Sequence, residues 1–201
     1  MKDIEKRMLM SQPCELRAAQ NEGEQTTIAG YAAVFNTRSA LLFNMFTEEI
    51  APGAFDDVLS DDVRALFNHD RNFVLGRTKS GTLQLEVDSR GLSYVITPPD
   101  TQTVRDLVLT PISRGDVTGS SFGFRVADDG DEWRKEGELV VRVIHKFERL
   151  TDISPVTYPA YEGTHVAQRS LDAWKEECRY LVNKAANERH ARERFLDLIN
   201  L

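Results

Sequence analysis

From residue 26 to residue 157 the chain repeats one arrangement: a short run of β-branched, aromatic or alternating apolar residues, closed by a turn signal. Residues 26–35 (TTIAGYAAVF) make the first run, and residues 36–39 end it. Residues 46–51 make a second, stopped by Pro52-Gly53. Residues 63–69, 119–126, 138–150 and 152–157 read the same way, and residues 128–132 are an acidic, exposed connection. The clearest hairpin joins the alternating residues 83–87 to residues 92–96 through Asp88-Ser89-Arg90-Gly91. The whole amounts to roughly seven to nine strands. Helical spacing is confined to a few places. Phe55, Val58 and Leu59 predict a short helix. Val104, Leu107, Val108 and Ile112 predict another over 101–114, capped by Asp100 or Thr101 and cut or bent by Pro111. Strand–helix–strand alternation is absent, which excludes a doubly wound sheet. The expected class is α+β: a small, mostly antiparallel β-barrel flanked by helices.

The ends follow other rules. Residues 1–25 are a polar arm with one short extended stretch around Cys14 and Leu16, residues 26–168 form the barrel domain, and residues 169–201 form a tail. In the tail, Leu171, Trp174, Cys178, Leu181, Val182 and Ala185 recur at helical spacing, and Phe195, Leu198 and Ile199 form a second apolar group. This is an amphipathic helix or helix pair, serving as a packing face or as a docking helix.

A formal net charge of −7 argues against broad electrostatic binding to nucleic acid. No apolar run reaches the roughly 18–20 residues of a membrane helix. The start, Met1-Lys2-Asp3-Ile4-Glu5-Lys6-Arg7, has mixed charges and no signal-peptide stretch, so the chain is expected to stay in the compartment where it is made. Cys14 and Cys178 sit near opposite ends and read as reduced thiols. Neither has Cys or His neighbours at zinc-site spacing, and no Gly-rich phosphate loop is present. No metal or cofactor is expected.

Some residues remain that carry chemistry. His69 ends an apolar strand in Phe67-Asn68-His69-Asp70, while His145 lies in a strand and His165 and His190 read as surface residues. In Gly119-Ser120-Ser121-Phe122-Gly123-Phe124, Phe122 and Phe124 share one strand face. Ser121 and Gly123 share the other, which leaves open space beside a hydroxyl on a rigid element. Glu148 and Asp152 have equal parity, so either carboxylate can orient a histidine from one side of an extended segment.

Read together, several segments resemble the prohead maturation proteases of tailed bacteriophages. They are residues 28–35 (IAGYAAVF), 49–55 (EIAPGAF), 66–70 (LFNHD) with 75–77 (LGR), 114–124 (RGDVTGSSFGF) and 150–160 (LTDISPVTYPA). They stand in the family's order. The resemblance implies a fold similar to the herpesvirus assemblins, serine proteases built on a β-barrel surrounded by helices. It implies Ser121 as nucleophile, with Ser120 beside it as the competing serine, and His69 as base. The third member is Asp152, with Glu148 the alternative and His145 a more distant one. Arg114 and Arg125 are implied as oxyanion candidates. The implied substrates are the scaffold or N-terminal segment of the major capsid protein and the protease itself, cut inside the immature head in the host cytoplasm. A self-dimer is a further implied partner. The alternative is a non-catalytic scaffold or assembly protein of the same fold.

Overall fold

The computed structural model describes residues 4–9, 15–17, 26–158 and 165–199, and the chain divides into two units, residues 1–164 and 165–201. The first unit is built mostly from strands: β1 (Glu5–Leu9), β2 (Glu15–Arg17), β3 (Thr27–Val34), β4 (Thr47–Ile50), β5 (Arg64–Phe67), β6 (Asp70–Arg77), β7 (Leu83–Val87), β8 (Gly91–Ile96), β9 (Gly119–Val126), β10 (Asp131–Glu136), β11 (Leu139–Ile144) and β12 (Phe147–Val156). They form three sheets, ordered β1-β9-β12-β5-β6, β10-β11-β4 and β2-β3-β8-β7. Pairing is antiparallel except between β12 and β5 and between β11 and β4, which run parallel. The class is mixed α+β, as the strand-rich pattern predicts.

The expected closed barrel is not found. Hydrogen bonding is divided among the three sheets rather than running round one ring. Register irregularities between Tyr31 and Ala33 on β3, and between Leu150 and Asp152 on β12, bend the strands. Side-chain packing then joins the sheets where a barrel would use a continuous ladder. The shared core includes Ile28, Phe55, Leu92, Phe122, Phe124 and Phe147. Phe55 and Phe147 have ring centroids 4.6 Å apart, and Phe122 and Phe124 are stacked at 4.9 Å. One close approach requires glycine. A Cβ on Gly91 would lie 2.0 Å from the backbone oxygen of Ala33, where β8 begins to pair with β3.

Two expected helices come out differently. Residues 52–60 are a string of turns, with Asp56 N–H donating to Gly53 O and Val58 N–H to Phe55 O. The apolar spacing still buries Phe55 and Val58, but so short a segment does not sustain an α-helix. The other helix, α1 (residues 102–114), is capped by Thr101, whose hydroxyl accepts from Val104 N–H. It widens into a π turn at Arg105–Leu109 just before Pro111. Proline donates no backbone hydrogen bond, so the bend expected from Pro111 appears as a wider turn. The acidic connection at 128–132 runs into β10, a strand of charged residues. It is held to β11, and Trp133 packs edge-on against Phe46 at 4.8 Å.

The second unit is the helix α2 (His165–Ile199), which presents Tyr180, Leu181 and Val182 to solvent. Cys178 is a free thiol, and Cys14 lies outside the described residues. Among the described residues no helix is long and apolar enough to cross a membrane.

Candidate active site

The site begins with a two-residue hairpin. Phe67 pairs with Asp70, and the intervening Asn68 and His69 have φ of +53° and +58°. A type I′ hairpin turn, whose twist matches that of its strands, is left-handed at both central residues. Asparagine accepts that region readily, whereas histidine enters it at some cost. The turn is pinned from β12. Asn68 N–H donates to Pro155 O at 3.0 Å, and its side-chain oxygen accepts from the backbone N–H and hydroxyl of Thr157 at 2.9 and 3.1 Å. His69 therefore projects from a fixed tip.

Strand β9 supplies the hydroxyl. Its Phe122 and Phe124 enter the core, while Ser121 and Gly123 face the other way. The expected open space beside Ser121 is occupied. Asp152 on β12 lies opposite Gly123, and a Cβ there would stand 2.5 Å from Asp152 Oδ1. The missing side chain at 123 is what lets the carboxylate lie across the strand.

His69 stands between these groups. Its Nε2 is 2.6 Å from Ser121 Oγ, and its Nδ1 bonds Asp152 Oδ2. With Nδ1–H donated to the carboxylate, the Nε2 lone pair faces the hydroxyl. Ser154 donates its hydroxyl to Asp152 at 3.2 Å, and the Thr151 hydroxyl, 3.2 Å from the other carboxylate oxygen, shares its one proton between that oxygen and the Gly123 carbonyl at 2.8 Å. Burial works against the charge on Asp152, but His69 and these hydroxyls outweigh it and hold the carboxyl below its ordinary value. Sequence reasoning did not single out Thr151 and Ser154; their adjacency to Asp152 in Thr151-Asp152-Ile153-Ser154 is the available signal.

The other candidates lie elsewhere. Ser120 faces away from Ser121 and bonds the Tyr94 hydroxyl at 2.7 Å in the interior. Glu148 is half exposed and sits 3.6 Å from Arg125. Arg125 is four positions beyond Ser121 on β9, about 13 Å along an extended strand. Arg114 is exposed beside Asp116, and His145, expected within a strand, lies in the connection between β11 and β12, exposed beside Glu132. The structure hydrogen-bonds none of these to Ser121, His69 or Asp152. The side chains of His165 and His190 lie outside the described residues.

Strand β1 also reaches the site, and its sequence does not predict a strand. It pairs with the edge of β9, Met8 opposite Ser121 and Arg7 opposite Phe122. Ser121 has no exposed surface, and its hydroxyl donates to the Arg7 carbonyl at 2.8 Å. On the core-facing side, Arg7 bonds Glu48 of β4 through Nε (2.7 Å) and one terminal nitrogen (3.0 Å), and Glu5 at 2.7 Å. Arg142 of β11, fully buried, bonds Glu5, Glu48 and Asp131. On the other face, Ile4 and Lys6 line a cleft of about 550 Å³ together with Leu66, His69 and Asp152.

Acid should loosen this unit. Glu5, like Asp152, is held below its ordinary value: burial opposes its charge, and Arg142 and Arg7 outweigh burial. Groups of this kind add stability above the unfolded carboxylate range, near pH 4, and lose it as pH falls through their folded values. The urea midpoint is expected to be flat from pH 7 to about 5 and to drop steeply below about 4. A flat midpoint down to pH 3 would contradict this.

No curated protein and no solved structure matches the chain. A family model does, across residues 12–177, which takes in β2 to β12 and with them Ser121, His69 and Asp152. It is the model of the caudovirus prohead serine proteases, and the chain belongs to that family.

Proposed function

We propose that this chain is the serine endopeptidase of capsid maturation, with Ser121 as nucleophile, His69 as general base and Asp152 as the carboxylate that orients it. One observation carries the reading: the imidazole lies between a serine hydroxyl and a desolvated carboxylate, at hydrogen-bond distance from both. His69 Nε2 takes the hydroxyl proton as Ser121 Oγ attacks a peptide carbonyl, then returns it to the departing amine. Water hydrolyses the resulting ester by the reverse sequence. Asp152 fixes the tautomer and stabilises the imidazolium, and Thr151 and Ser154 hold Asp152. Of the two acids of equal parity, Asp152 is preferred because Glu148 pairs with Arg125 instead.

The substrates are the scaffold or N-terminal segment of the major capsid protein and the protease itself, inside the assembling head. The tail, residues 169–201, is a segment that packages the enzyme or is shed. Co-expression with the cognate capsid protein tests the assignment. Wild type yields the shortened capsid protein. Ser121→Ala leaves it full length while particles still assemble. Ser120→Ala retains processing, at a stability cost of about 1 kcal/mol for the lost Tyr94 bond. Processing by Ser121→Ala at the wild-type rate would remove the nucleophile assignment.

A further inference from the structure

The cleft beside the triad carries a charge opposite to that of the chain. The whole sequence has a formal net charge of −7. The cleft is lined by three cations, Lys6 of β1, Arg64 of β5 and Arg71 of β6, and by one acid, Asp152. Asp152 spends its hydrogen bonds on His69, Thr151 and Ser154 and makes none to these cations. Arg64 shares the single carboxylate of Asp62 (3.1 Å) with Arg77 (2.6 Å) and Lys79 (3.9 Å). Among the described residues, Lys6 and Arg71 have no ion-pair partner. Like charges gathered round a hollow raise the local concentration of whatever carries the opposite sign.

The lining between the charges is apolar. Leu66 of β5 is buried and pairs with Val74 of β6, which is left 47% exposed. An aliphatic surface next to guanidinium groups suits a side chain with a short hydrocarbon stem and an anionic head. The volume, about 550 Å³, is ordinary for a binding pocket. His69 ties the cleft to the chemistry. Its ring lines the cleft, and its Nε2 is 2.6 Å from Ser121 Oγ. A peptide attacked at Ser121 therefore passes the mouth of the cleft, and an extended chain advances only about 3.3 Å per residue. Side chains close to the cut bond are the ones that reach it.

We infer that this cleft is a specificity subsite: Arg71, with Arg64 and Lys6, receives the carboxylate of an aspartate or glutamate of the substrate, within about three residues of the cut bond, while Leu66 and Val74 carry its stem. This rests on the protease reading above. The contact does not touch the reacting atoms, so it holds the substrate as well before the transition state as in it. It therefore acts on KM and leaves kcat alone. Arg71 is exposed, so salt screens the contact and raises KM further.

The test starts from the capsid protein co-expressed with the full chain, whose cut is mapped by mass spectrometry of the shortened product. An aspartate or glutamate is expected within about three residues of that cut. A synthetic peptide spanning the cut then serves as substrate, beside a second peptide with that acid replaced by lysine. The replacement is expected to raise KM at least tenfold with kcat within about twofold. Arg71→Glu raises KM for the acidic peptide to a similar extent and lowers it for the lysine peptide, so the two reversals together recover most of the loss. Arg71→Lys stays near wild type. Far-UV circular dichroism identifies the variants that remain folded, and Arg71→Gln carries the comparison if Arg71→Glu does not. Arg71 is two positions beyond His69, so a change that merely disturbs the turn lowers kcat for both peptides alike, and that result overturns selection by Arg71. No acid near the cut, equal KM for the two peptides, or a lysine peptide that the folded Arg71 variant does not favour overturns the subsite and leaves the protease standing. No processing of the capsid protein by the wild-type chain, or equal processing by Ser121→Ala, overturns the protease reading and this inference with it.

Discussion

Asp152→Asn is expected to lower the rate of capsid-protein cleavage by about 10⁴ with little change in fold. The carboxylate accepts Nδ1–H of His69 and leaves the Nε2 lone pair toward Ser121. An asparagine that turns its amide nitrogen toward Nδ1 donates where the carboxylate accepted. The imidazole then carries its proton on Nε2, facing the hydroxyl it should deprotonate. It also lacks the charge that stabilises the imidazolium. Glu148→Gln serves as the control and should leave the rate unchanged, because Glu148 sits with Arg125 rather than with His69. Gly123→Ala should mimic the loss by another route, since its methyl would stand only 2.5 Å from Asp152 Oδ1 and force the carboxylate aside. Cleavage by Asp152→Asn at the wild-type rate would remove the carboxylate from the mechanism.

Arg142→Met is expected to cost about 3–5 kcal/mol of folding stability, read from urea denaturation. Arg142 is fully buried and bonds Glu5, Glu48 and Asp131 at 2.6–3.2 Å. Burial disfavours its charge, and Glu48 and Glu5 overcome that and raise its pKa. Without the guanidinium those carboxylates stay desolvated with Arg7 alone to share between Glu5 and Glu48. Pairing the change with Glu48→Met should restore part of the loss, because removing both partners leaves fewer uncompensated charges. A single variant within about 1 kcal/mol of wild type would show that the cluster bears little of the load.

The same cluster explains what the sequence leaves hidden. Periodicity finds strands whose inward positions are apolar, and it finds β3, β7, β8 and β9. The run read as 138–150 instead divides at residues 145–146 into β11 and β12, and β12 continues through residue 151 to Val156. In β1 the inward residues are Glu5 and Arg7, so the strand reads as a polar arm. In β10 the apolar content is Trp133 alone, and the segment reads as an acidic connection. Strand β6 begins with the polar residues Asp70-Arg71-Asn72 and passes for a loop. Closure of a barrel is not a local property, and the count of strands does not reveal where hydrogen bonding stops. The candidate site is legible for a different reason. Its residues sit in short ordered segments that a family resemblance can pick out, whereas Thr151 and Ser154 are known only by their contacts around Asp152, and the approach of β1 to the site rests on long-range pairing.

The pinning of the Asn68-His69 turn by Pro155 and Thr157 ties the geometry of the proposed triad to a late-synthesised stretch of chain. A nascent chain that has left the ribosome only as far as residue 150 already owns the histidine and the serine. It still lacks the acid and both anchors of the turn. A translation product that stops before residue 157 thus holds the imidazole and the hydroxyl without the groups that fix how they face each other.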